Sequence, residues 1–160
     1  MQTFLPYASF IESAKVLDYR RLGKQRVEAL QILRTIHAGE SAKGWRNHPA
    51  VTMWRGHELA LCSYGLSMCT EWRERGYKDN LGEQFLNLSI GIATKIHEHG
   101  GSTADANLPA WLGDDRLHLS HQSNLIRKDP EYYKLKFPNA PEGLAYFWVS
   151  KEEDYNGKSK

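Results

Sequence analysis

The strongest constraint on this chain lies behind Asp18. Leu22, Ala29, Leu33 and Ile36 follow it at helical spacing and carry one apolar stripe to about His37. Asp is a favoured N-cap, so the spacing predicts a helix opening at residue 18. Other segments carry the same period. SFIESAKVL sets Ser9 and Glu12 at capping-box spacing, with Phe10, Ala14 and Leu17 on one face. Pro49 stands where a first-turn proline belongs, and a long helical pattern runs from it to Arg75, kinked near Gly56 and ended by Gly76. Further helices are predicted over roughly 82–98 and 115–128, the latter stopped at Asp129-Pro130. The stretch HGGSTADANLP reads as a loop. Only Ala145–Val149 suggests extended backbone, and no strand alternation is convincing. The fold class expected is all-α: one compact helical domain over residues 1–150, followed by a polar, frayed tail over 151–160.

Composition narrows the function. A chain of 160 residues can bury a real core, and its net charge of +2 excludes a bulk polycation. Any nucleic-acid footprint must come from local clustering. Cys62 and Cys69 stand seven apart on one helical pattern, about 10 Å along the axis and too far to bridge. They read as reduced core residues of a cytoplasmic protein. No window has transmembrane length, and MQTFLPYASF is not a signal peptide. The five tryptophans are expected mainly in the core.

Local clustering is what LDYRRLGKQRVEALQIL provides. Arg20, Arg21, Lys24 and Arg26 crowd the first half of the helix and one carboxylate, Glu28, follows. Arg21, Lys24 and Glu28 share a face, whereas Arg26 falls near the apolar stripe and is expected to be partly buried. One reading is an ordinary Lys24–Glu28 pair on a solvated face. The other is a carboxylate set within a phosphate-binding surface, where a fixed anion can stabilise an oxocarbenium-like transition state. Seven histidines raise the question of a metal. His118 and His121 share a face, but no carboxylate or thiol pattern joins them, so neither a metal nor another cofactor is expected. Asn47 and His48 precede the Pro49 helix and suit capping as well as a phosphate.

Order and spacing decide between the two readings. Asp18, Leu22 and Glu28 stand at 0, +4 and +10, and Pro49, Gly56 and His57 at 0, +7 and +8. With QTFLPY, LGKQRVEALQILR, NHPAVTMW and RLHLSHQSNLIRKDPEYY, the chain resembles the pyrimidine-dimer DNA glycosylases of the phage endonuclease V type, over most of residues 1–137.

The resemblance implies a single-domain helical enzyme that needs no metal and couples base removal to strand cleavage. In that family an N-terminal α-amine attacks C1′ of the damaged nucleotide, and the Schiff base formed undergoes β-elimination. Gln at position 2 leaves the initiator methionine in place, so the implied nucleophile is the amine of Met1 and the implied carboxylate is Glu28. The implied DNA contacts are Arg21, Lys24, Arg26, His57, Ser120, Gln122, Asn124, Arg127, Lys128, Tyr132, Tyr133 and Lys134. The phage enzyme carries arginines just before and three after its glutamate, where this chain has Val27 and Gln31. The partner implied is double-stranded DNA with a damaged or modified base, bound by a monomer, with no membrane. Another modified pyrimidine as substrate, or a non-catalytic DNA-binding module on the same fold, are the alternatives.

Overall fold

In a computed structural model, residues 1–103 and 108–149 are described. The tail over 151–160, and residues 104–107 within the loop, lie outside them. Among the described residues seven α-helices follow one another: α1 (Phe10–Val16), α2 (Tyr19–Ala38), α3 (Pro49–Trp54), α4 (Glu58–Glu74), α5 (Gly82–Glu98), α6 (Asp115–Lys128) and α7 (Pro130–Lys136). No strand occurs among the described residues, and Ala145–Val149 is irregular.

Caps set the boundaries. The Ser9 side chain accepts from Glu12 N, and that of Asp18 from Arg21 N. Gly82–Glu98 and Asp115–Lys128 match the predicted spans. Two boundaries differ. The expected kinked helix from Pro49 is two helices, because Gly56 takes φ +88° and breaks the chain between Trp54 and Glu58. DPEYYKLKF is itself helical: Asp129 caps it by accepting from Tyr132 N, and Pro130 occupies the first turn.

α4 is the central helix, with α1, α2 and α5 packed on it. Gly65 lets α5 come close, since a Cβ there would lie 2.3 Å from the Phe85 ring. The apolar stripe of α2 is buried at Leu22, Ala29 and Leu33. Trp54 and Trp111 are core, whereas Trp45 is exposed, contrary to expectation. Cys62 and Cys69 are free, and burial pushes their thiols up to about 11 and about 12, so both stay neutral. No helix among the described residues is long and apolar enough to cross a membrane.

The irregular segment at the start of the chain is held by many side chains. Residues 2–6 are buried yet belong to no helix. Their backbone groups need partners, and side chains from three helices, α2, α4 and α6, supply them. Phe4 N donates to Gln25 Oε1 of α2, and Leu5 N to His121 Nδ1 of α6. Because Gly113 N donates to His118 Nε2, the His118 proton sits on Nδ1, which donates to Leu5 O. Gln122 Nε2 donates to Pro6 O. The Tyr64 hydroxyl of α4 lies within bonding distance of both Phe4 O and Gln25 Oε1. Trp54 Nε1 of α3 donates to Thr3 Oγ1. Chain ends usually fray, but this one is fixed by its surroundings.

Candidate active site

The pinned segment delivers the chain's first residue to a cavity of about 940 Å³, lined by Met1, Gln2 and Glu28 together with the start of α2, the α6–α7 junction and Tyr146. Arg20, Arg21, Lys24, Arg75 and Lys128 bring five cations to its wall, and Asp18, Glu28 and Asp129 three carboxylates.

Glu28 is buried, with its two oxygens in different surroundings. Oε2 accepts from Gln2 N and from Gln25 Nε2, each at 3.1 Å. Oε1 lies 3.5 Å from Lys24 Nζ, whose side chain is mostly exposed. The carboxylate is therefore oriented by one oxygen, and the other faces an exposed cation. Covalent geometry keeps the Met1 amine within about 4 Å of Gln2 N, which donates to this carboxylate. His48, which accepts from Ala50 N to cap α3, senses both groups. Burial and then the positive amine hold its imidazole below the ordinary range, against the opposing pull of Glu28.

Asp18 braces the other end of the cavity. It caps α2, pairs with Arg21 at 3.0 Å and accepts a very short hydrogen bond from the Tyr133 hydroxyl. Burial raises its pKa, but the bonds from Tyr133 and Arg21 outweigh that and leave it below the usual carboxylate range. The same burial, and the bond to Asp18, raise Tyr133.

The twelve residues implied as DNA contacts divide. Arg21, Lys24, Lys128 and Tyr132 line the cavity with Met1 and Glu28. The others are placed elsewhere. Arg26 is buried in an ion pair with Asp79, as its place beside the apolar stripe of the helix suggests. Asp79 also accepts from Gly82 N and Leu81 N, and these bonds hold its carboxyl low despite its burial. His57 is buried at the α3–α4 junction, where its N–H donates to Trp54 O. Ser120 donates to Leu117 O and accepts from Phe147 N. Asn124 donates to Ser120 O and Leu144 O, and Gln122 to Pro6 O. Tyr133 is wholly buried against Asp18. Arg127 donates to Leu144 O, and Lys134 pairs with Glu142 at 3.2 Å on the surface.

Sequence reasoning missed several cavity residues. Gln25 precedes Glu28 by three and so shares its face, a usable signal. Tyr19, Tyr77 and Tyr146 gave none: one opens a helix and two stand outside helices. No group of three or more His, Cys, Asp or Glu among the described residues is placed to hold a metal ion.

The family model for pyrimidine dimer DNA glycosylases matches residues 1–84. That span holds the pinned segment, Glu28 and the whole of α2 to α4. No curated protein and no solved structure matches the chain. With 84 of its 160 residues matched, more than half, the chain belongs to the pyrimidine dimer DNA glycosylase family.

Proposed function

We propose that this protein removes a damaged pyrimidine from duplex DNA and then cuts the strand at the abasic site, using the α-amine of Met1 as nucleophile and Glu28 as the carboxylate that serves it. The cyclobutane dimer is the substrate that family membership favours. The observation that carries the reading is the hydrogen bond from Gln2 N to Glu28 Oε2, which ties the start of the chain to a buried carboxylate in a basic cavity.

The chemistry follows from what each group can do. An α-amine ordinarily titrates near 7.7–8.0, so a useful fraction is neutral at physiological pH, whereas a lysine near 10.4 is almost wholly protonated. The amine lone pair attacks C1′. The C1′–N bond breaks, and the base leaves with the electron pair and takes up a proton. The amine then loses a proton, and its lone pair opens the C1′–O4′ bond, giving a protonated imine at C1′ and an O4′ oxygen that keeps the bonding pair and takes up that proton. Removal of a C2′ proton expels the 3′ phosphate by β-elimination. Glu28 stabilises the positive charge that develops at C1′ and then moves the proton at C2′. Arg21, Lys24 and Lys128 suit the phosphates, and Tyr132 can lie against a distorted backbone. Extrusion of the target nucleotide is the step that gives the amine access to C1′.

Borohydride trapping on a duplex with one abasic site tests this. Intact protein forms a covalent adduct and protein with an acetylated α-amine does not. Equal trapping by both forms would transfer the role to a lysine, for which Lys24 is the candidate beside Glu28. No trapping by either, with salt-sensitive DNA binding intact, would leave a monofunctional glycosylase or a binding module.

A further inference from the structure

One wall of the cavity carries a ladder of rings running from the interior to solvent. The buried Arg26 guanidinium lies 4.4 Å from the centre of the Trp72 ring. Trp72 stacks on Tyr77, with centroids 4.2 Å apart. Tyr77 in turn faces Tyr19 at 6.5 Å, tilted by 28°. Hydrogen bonds hold the inner rungs: Trp72 Nε1 donates to Lys78 O, and Tyr77 N to Trp72 O. Gly76, at φ +88°, turns the chain back so that Tyr77 lies over Trp72. The outer rungs are open. Tyr77 is 41% exposed and Tyr19 50%, and both line the cavity that contains Met1 and Glu28.

We propose that Tyr19 and Tyr77 form a shelf that takes one unstacked nucleobase, on the same strand as the attacked nucleotide and flanking it. The proposal rests on the glycosylase reading above. Exposed aromatic faces beside cations are the usual platform for a base whose own stack has been opened, since every base presents a π-face. Arg20, beside Tyr19, and Lys24 and Lys128 on the same cavity suit the phosphates on either side of such a base. Helix α2 acts as a ruler. Tyr19 precedes Glu28 by nine residues, about 13 Å along the axis. A base still attached to the attacked C1′ cannot reach that far. A strand rises about 3.4 Å per nucleotide, so the shelf faces a base up to about four nucleotides away.

The test is a duplex carrying a tetrahydrofuran abasic analogue, which binds without reacting, with 2-aminopurine placed singly at each of four positions on either side and across the opposite strand. With the native protein, fluorescence at one same-strand flanking position responds to binding. The response survives in Tyr77→Trp and is lost in Tyr77→Leu and in Tyr19→Leu. The double leucine variant, folded by its melting curve, binds this DNA roughly ten- to a hundredfold more weakly. A response unchanged in both leucine variants, or one confined to the opposite strand, overturns the shelf. Salt-sensitive binding by the native protein without any same-strand response removes the shelf and leaves the glycosylase reading standing. Absence of salt-sensitive binding by the native protein removes both.

Discussion

Helices α2 and α6 look alike as sequences and are used in opposite ways. Each is amphipathic and carries polar and basic residues that suit a phosphate backbone. On α2, Arg21, Lys24, Gln25 and Glu28 open onto the cavity. On α6, Ser120, His121, Gln122 and Asn124 turn inward and bond to irregular backbone at residues 5–6 and 144–147. The difference lies in the neighbour. A helix beside irregular chain must satisfy that chain's N–H and C=O groups, and its polar residues are committed to the task. A helix beside solvent keeps them available. Polar composition on a helix therefore does not distinguish a binding face from an internal scaffold.

Substitutions should separate the two helices. The largest effect is expected on α2: Glu28→Gln should lower base release by about 10²–10⁴-fold, with DNA binding changed little, as single-turnover kinetics and a filter-binding titration would measure. Equal loss of both would make α2 a scaffold too. On α6, His121→Leu leaves Leu5 N buried without an acceptor, which should cost about 1–3 kcal/mol in a denaturant titration. It should also reduce covalent trapping, since the segment behind the amine loses one of its ties.

Acid separates them further. Burial, with His118 alongside, pushes the His121 imidazole down to about 3. An unfolded histidine titrates near 6.5. The stabilisation is therefore complete above about pH 6.5 and is lost as pH falls towards 3. Melting temperature should drop between pH 6.5 and 4.5, before Asp18 and Asp79 are protonated. His48, also held low, adds slope of the same sign. His121→Asn, which keeps an acceptor for Leu5 N, should remove most of the drop. The smallest effects should come from single cations. Lys24→Ala or Lys128→Ala should lower the salt dependence of DNA binding by about one unit in log–log slope, and Arg127→Ala by less.

Much of the fold was legible because it is written in local chemistry. Ser9, Asp18 and Pro49 mark helix starts by capping rules, and the stripe through Leu22, Ala29 and Leu33 is buried as its period requires. The role of Arg26 could be anticipated in part, since the helical wheel sets it beside that stripe. Its partner Asp79 lies 53 residues away and could not be read from the wheel. The inward bonds of the α6 side chains could not be read for a related reason. Nothing local says that residues 2–6 run unpaired through the interior, so the need of that segment for side-chain partners stays invisible until the tertiary structure is known. Tyr77 escaped notice because it takes its position from a positive-φ turn and a ring stack, neither of which leaves a periodic trace.

The pinned segment also bears on the order of events during synthesis. Leu5 is synthesised before helix α6, yet both of its backbone bonds wait for His118 and His121, more than a hundred residues later. Residues 5–6 are thus made long before the α6 side chains that bond their backbone. A nascent chain halted before α6 has Glu28, Lys24 and Met1, but lacks the α6 share of the clamp on residues 5–6. The α6 ties on the segment behind Met1 therefore require that α6 has been made.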